Sequence, residues 1–302
     1  MKKQRMKFLF MLLFSSAISV FAQSSFVNYK FDADKTYLVE MKDGTQFVGT
    51  ILQSDTQLIY LKTNSIPKIE IPVDKIKSIV VVNASKGKDG EYWFPNPNAT
   101  RYLFSPSAFM LKKGEGYYQN TYLVLNSVNF GINDHFSIGG GLEFLSTFGT
   151  LAGGEFSPIF FITPKFGFEV SEKFHAGGGV LYASTPGFDT DDSRSSLGII
   201  YGIGTLGTED HNLTGGLGWG FVNGDFSSSP IVTISGMTRL SRRTALVTEN
   251  WLIPTDGYYG IFTYGIRFFS EKMTVDLAFI NSSDIAQGLI IGIPYVDFVV
   301  KF

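Results

Sequence analysis

The chain contains no cysteine, which excludes a disulfide scaffold, thiol catalysis and cysteine-ligated metal sites. Charge is scarce: Asp, Glu, Lys and Arg make up 17% of 302 residues, against about 25% in soluble domains. The net charge of −2 gives no electrostatic reason to expect nucleic acid as a partner. The body of the chain has no apolar run of about 20 residues, the length a membrane helix needs. What the chain has instead is Gly 33, Phe 29 and 15% aromatics. A membrane protein without membrane helices must be a closed barrel, because lipid offers no partner to unpaired backbone groups.

The only long apolar stretch lies at the N-terminus, MKKQRMKFLFMLLFSSAISVFA over residues 1–22. Lys2, Lys3, Arg5 and Lys7 form a basic region, Phe8 to Phe14 an apolar one, and Val20-Phe21-Ala22 a cleavage signal. An export signal cut after Ala22 is expected. No cysteine follows to carry a lipid anchor.

Residues 34–84 read as a small periplasmic β domain. TYLVEM runs into Lys42-Asp43-Gly44, a hairpin signal, and TQFVGTILQ, QLIYLKT, KIEIP and IKSIVVV follow. The pattern DGTQFVGTI…IEIPVDKIKSI resembles Sm-like or SH3-like small barrels. That resemblance implies a turn at Asp43-Gly44 and a one-turn helix at Val73-Asp74-Lys75. RNA binding is not carried over, because an exported domain meets no RNA; a structural plug, a spacer or a module that contacts a periplasmic protein is expected instead. Residues 85–100 form a linker rich in Gly, Asn and Pro. Its aromatics, Tyr92, Trp93 and Phe94, fit either a membrane interface or local packing.

Residues 101–302 read as a chain of hairpins. Short polar turns at 133–135, 171–173, 209–212, 241–243 and 270–272 alternate with longer loops, as in outer-membrane barrels with short periplasmic turns. Strands are expected near 101–110, 117–132, 136–147, 157–170, 174–185, 196–208, 213–222, 230–240, 244–253, 258–269, 273–281 and 288–302, twelve in all. The fold class is thus all-β: a transmembrane antiparallel barrel preceded by the small domain. Alternation sets the faces. In 258–269, Phe262, Tyr264, Ile266 and Phe268 oppose Thr263, Gly265 and Arg267. A charge facing lipid costs about 2–4 kcal/mol near the midplane, so the charged face is the lumen. A soluble β-sandwich would place polar residues, not Gly and Thr, on its solvent face.

By this parity the lumen holds Glu143, Lys165, Glu169, Arg239, Glu249, Arg267, Asp276, Asp297 and Lys301. The mixed charges suit either a salt-bridge network that stiffens the lumen or a constriction for a small polar solute. No spacing fixes two carboxylates against a substrate. His135, His175 and His211 fall at three different turns, so no metal or cofactor is expected. Outer-membrane phospholipases set a histidine near the outer rim; this chain has none there, so a hydrolase lacks its base. The glycine runs 139–141, 177–179 and 215–216 lack the Lys-Ser/Thr of a phosphate loop and fit barrel bends and close packing.

The C-terminus, YVDFVVKF, resembles the assembly signal of Gram-negative outer-membrane proteins. Phe298, Val300 and Phe302 would carry it and make the assembly machinery a partner. Residues 101–144 resemble a group of Bacteroidetes-type outer-membrane barrels without settled function. The expected roles are a narrow channel for a small polar solute, or a filled barrel that anchors the periplasmic domain.

Overall fold

The computed structural model describes residues 31–63, 65–82, 93–153, 157–186 and 194–302. The expected signal at 1–22 and the first part of the expected linker lie outside these. The chain divides into two units, Met1–Tyr92 and Trp93–Phe302. Among the described residues no helix is long and apolar enough to cross a membrane.

The first unit is a five-stranded antiparallel sheet. Its strands are β1 (Thr36–Met41), β2 (Gln46–Ser54), β3 (Leu58–Lys62), β4 (Ile69–Pro72) and β5 (Ile76–Val82), in the order β4-β3-β2-β1-β5. Gly44 takes φ +88° in the first hairpin, a conformation that favours glycine. A single 3-10 turn, Val73–Lys75, joins β4 to β5. Alternate residues (Tyr37, Val39, Ile51, Ile59, Leu61 and Ile71) point into one apolar core.

The second unit is a closed antiparallel barrel. Its strands are β6 (Gly116–Thr121), β7 (Leu125–Asn133), β8 (Phe136–Glu143), β9 (Ile159–Ile162), β10 (Lys165–Ser171), β11 (Phe174–Pro186), β12 (Arg194–Gly207) and β13 (His211–Val222). The two-residue β14 (Asp225–Phe226), β15 (Ile231–Ser241), β16 (Thr244–Pro254), β17 (Tyr258–Phe269), β18 (Met273–Asn281) and β19 (Ile293–Lys301) complete it. β9 and β10 pair with the same neighbours, β8 and β11, in one register. They are a single strand interrupted at Pro164, which has no N–H to give the ladder. With β14 only a spur on β13, the wall has twelve strands, and β19 pairs with β6 to close it.

Along β17, Phe262, Tyr264, Ile266 and Phe268 are exposed on the outside, while Thr263 and Arg267 are buried inside. Val128, Phe130, Phe166, Phe168, Leu213, Leu217 and Leu277 extend this apolar exterior round the barrel. An exterior of large apolar side chains over a polar interior is the inverse of a soluble protein and suits lipid.

The count of twelve agrees with expectation although three expected strands do not form as read. Residues 101–110 are not a wall strand; Arg101 and Pro106 make one isolated bridge. The reason is in the segment itself: Pro106 cannot sit in a central strand, and Tyr102 N–H closes back on Ser105 O. Residues 117–132 are two strands, not one, turning at Tyr122 and Leu123 with φ 54° and 63°. No Gly or Asp-Gly announces this turn; the Asn120 side chain caps it by accepting from Leu123 N–H at 3.1 Å. The expected strand 136–147 ends at Glu143, and α1 (Phe144–Ala152) follows.

A plugged lumen as candidate functional site

Residues 93–111 run into the barrel interior and back to the wall. The segment cannot satisfy its own backbone, because Pro95, Pro97 and Pro106 prevent a helix or ladder. A buried backbone group must find a partner, and the wall supplies them. Glu249 Oε2 accepts three successive backbone N–H groups, Leu103, Phe104 and Ser105, each at 2.9 Å. Its other oxygen accepts from Trp251 Nε1 at 2.8 Å.

Arg267 does the converse. Its guanidinium grips Asp276 through Nε and Nη2 at 2.7 and 2.8 Å. It also donates to the carbonyls of Asn98, Arg101 and Tyr102 at 2.9, 3.2 and 2.5 Å. Lys165 Nζ donates to the carbonyls of Thr100, Ser107 and Phe109 at 3.2, 2.9 and 2.7 Å. Asp297 accepts from Arg101 of the plug at 2.5 Å, and from Gln119 and Tyr295. Near the short-turn end Arg239 donates to Phe94 O at 2.8 Å and pairs with Asp210 at 3.0 Å. The rings of Trp93, Phe94 and Phe269 lie round its guanidinium.

Of the nine residues expected in the lumen, six (Lys165, Arg239, Glu249, Arg267, Asp276 and Asp297) are buried together around the plug. Three are elsewhere. Glu143 caps α1, accepting from Leu145 and Ser146 N–H at 2.8 Å each. Glu169 is exposed on β10. Lys301 pairs with Glu115 at 3.0 Å where the barrel closes. Of the expected assembly signal, Phe298 and Val300 are half-buried and Phe302 is exposed. Phe302 ties β19 to Gly116 by N–H and carbonyl at 2.8 and 3.1 Å.

Sequence reasoning missed Arg101, Asn98 and Asp210, all buried and bonded into this network. The three prolines between 95 and 106 were the available signal that this segment is not wall. His135, His175 and His211 lie apart on three hairpins, and among the described residues no cluster could hold a metal.

The plug does not fill the lumen. A cavity of about 350 Å³ lies between it and the wall of β6 to β12. Gly141 and Gly179 make room for the aromatics that border it. A Cβ on Gly141 would meet the Phe161 ring at 2.3 Å, and one on Gly179 the Tyr201 hydroxyl at 2.6 Å.

No protein-family model matches this chain, and no curated protein matches it. Among solved structures, the KdgM porin aligns at 9% identity over 62% of this chain and 95% of its own, with TM-score 0.40. The NanC porin aligns at 8% identity over 62% and 96%, with TM-score 0.37. OmpT, an outer membrane protein of Vibrio cholerae, aligns at 12% identity over 90% and 98%, with TM-score 0.32.

Proposed function

We propose that this protein is an outer-membrane barrel held shut by its own residues 93–111, and that it anchors the small β unit preceding the plug. The observation that carries this reading is where the lumen charges go. Glu249, Arg267, Lys165 and Arg239 direct their hydrogen bonds to plug backbone rather than to an open aqueous path. Each such bond involves a charged group and contributes roughly 1.5–3 kcal/mol, so withdrawing the plug breaks many at once.

The apolar exterior supports the membrane location, and the basic-apolar N-terminus supports export. On this reading the short turns face the periplasm, and the assembly machinery reads Phe298, Val300 and Phe302. The strand order with a 3-10 turn before the last strand supports the Sm-like or SH3-like reading of the small unit, whose role is to contact a periplasmic protein.

Planar-bilayer recording tests the proposal. The full chain is expected to be silent, and a variant lacking residues 94–111 to conduct. Steady conductance from the full chain would sink it. A second reading, a narrow channel for a small polar solute, is favoured by the unfilled cavity; it requires the plug to shift, with conductance appearing in bursts.

A further inference from the structure

We propose that the cavity between plug and wall binds a small organic anion with an apolar body, an aromatic or medium-chain carboxylate. This goes beyond the anchoring reading and holds whether or not the barrel conducts. The volume, about 350 Å³, lies within the range of small-molecule sites, about 300–1,000 Å³.

Its chemistry is one-sided. Phe104, Ile159, Phe161 and Leu181 give it apolar surface, and its two charged lining residues, Arg101 and Lys165, are both cations. The two differ in one respect. Arg101 has its counter-charge in Asp297 at 2.5 Å. Lys165, 8% exposed, donates to three carbonyls, and among the described residues it forms no ion pair with a carboxylate. A buried cation without a counter-ion is costly, and an anion in the adjoining cavity would offset that cost. The ammonium has a contact it can exchange. Its longest hydrogen bond, 3.2 Å, goes to the carbonyl of Thr100, which itself lines the cavity. A carboxylate entering there takes that N–H, and the body lies against the rings that Gly141 and Gly179 make room for.

The test uses the full chain in lipid nanodiscs and equilibrium dialysis with 2-naphthoate and its neutral counterpart 2-naphthamide, with empty nanodiscs as the blank. Saturable binding to one site is expected, about tenfold tighter for the anion. Lys165→Met is expected to remove the preference for the anion and keep binding of the amide. Ala183→Phe fills the cavity from the wall and is expected to abolish both, with the heat-dependent gel shift of a folded barrel retained. If Lys165→Met does not fold, Ala183→Phe and the ratio of the two probes still decide. Binding no greater than to empty nanodiscs, equal affinity for both probes, or wild-type binding by folded Ala183→Phe would overturn the proposal.

Discussion

Glu249 concentrates the logic of the lumen in one side chain. Three consecutive plug N–H groups converge on one of its oxygens, and the residue is fully buried. Glu249→Ala leaves those donors without an acceptor, at about 1–3 kcal/mol for each buried group. The expected result is a plug loosened by several kcal/mol, seen as protease cleavage within 93–111 while the wall stays folded. Unchanged protection would show that the plug does not depend on this carboxylate.

A second residue-scale prediction concerns the small unit. Asp55 accepts from Gln57 and Leu58 N–H at 2.8 Å each, and these bonds hold its carboxyl below the ordinary value of 3.8. A lowered folded value means that the contribution is complete above the unfolded value and is lost as pH falls through the folded one. The protection of amides in the β2–β3 hairpin, their exchange rate taken relative to the intrinsic rate at each pH, should therefore be flat from neutrality to about pH 4 and fall further into acid. Asp55→Asn should flatten that acid limb.

At the scale of the element, alternation and turn geometry make separate predictions. Ile266 faces outward in the middle of β17, next to inward Arg267. Ile266→Lys should destabilise the barrel by about 2–4 kcal/mol in a bilayer if the site is near the midplane, measured as a lowered unfolding midpoint. No loss in lipid would place this face in water. The β6–β7 turn holds Leu123 at φ 63°, which costs a non-glycine residue roughly 1–2 kcal/mol. Leu123→Gly should recover about 1 kcal/mol, reduced by the flexibility glycine adds to the unfolded chain. A fall in the unfolding midpoint would mean that Leu123, exposed at 78%, contributes something its turn geometry does not reveal.

For the whole molecule, the two units should separate in a deletion series. Removing residues 31–82 is expected to leave the heat-dependent mobility shift of the barrel intact, because among the described residues the barrel closes its sheet and holds its plug within residues 93–302. Removing 94–111 is expected to open a conducting lumen or, since five buried charged side chains (Lys165, Arg239, Glu249, Arg267 and Asp297) then lose plug contacts, to lower the stability of the wall. A barrel unaffected in both conductance and stability would show that the plug is not what those charges hold.

The amino-acid pattern determined the wall. Lipid outside and polar groups inside impose a period of two on every strand, so Phe262 to Phe268 and the inward Arg267, Asp276 and Asp297 were readable one strand at a time. Tertiary structure alone decided what the inward charges do. Glu249 and Leu103 are 146 residues apart, and Arg267 and Tyr102 are 165 apart, so no local rule links donor to acceptor. It also decided that 101–110 leaves the wall and that Tyr122-Leu123 turns. The apolar residues of a plug and of a strand look alike in sequence, and only closure of β19 on β6 fixes which segment the wall leaves out.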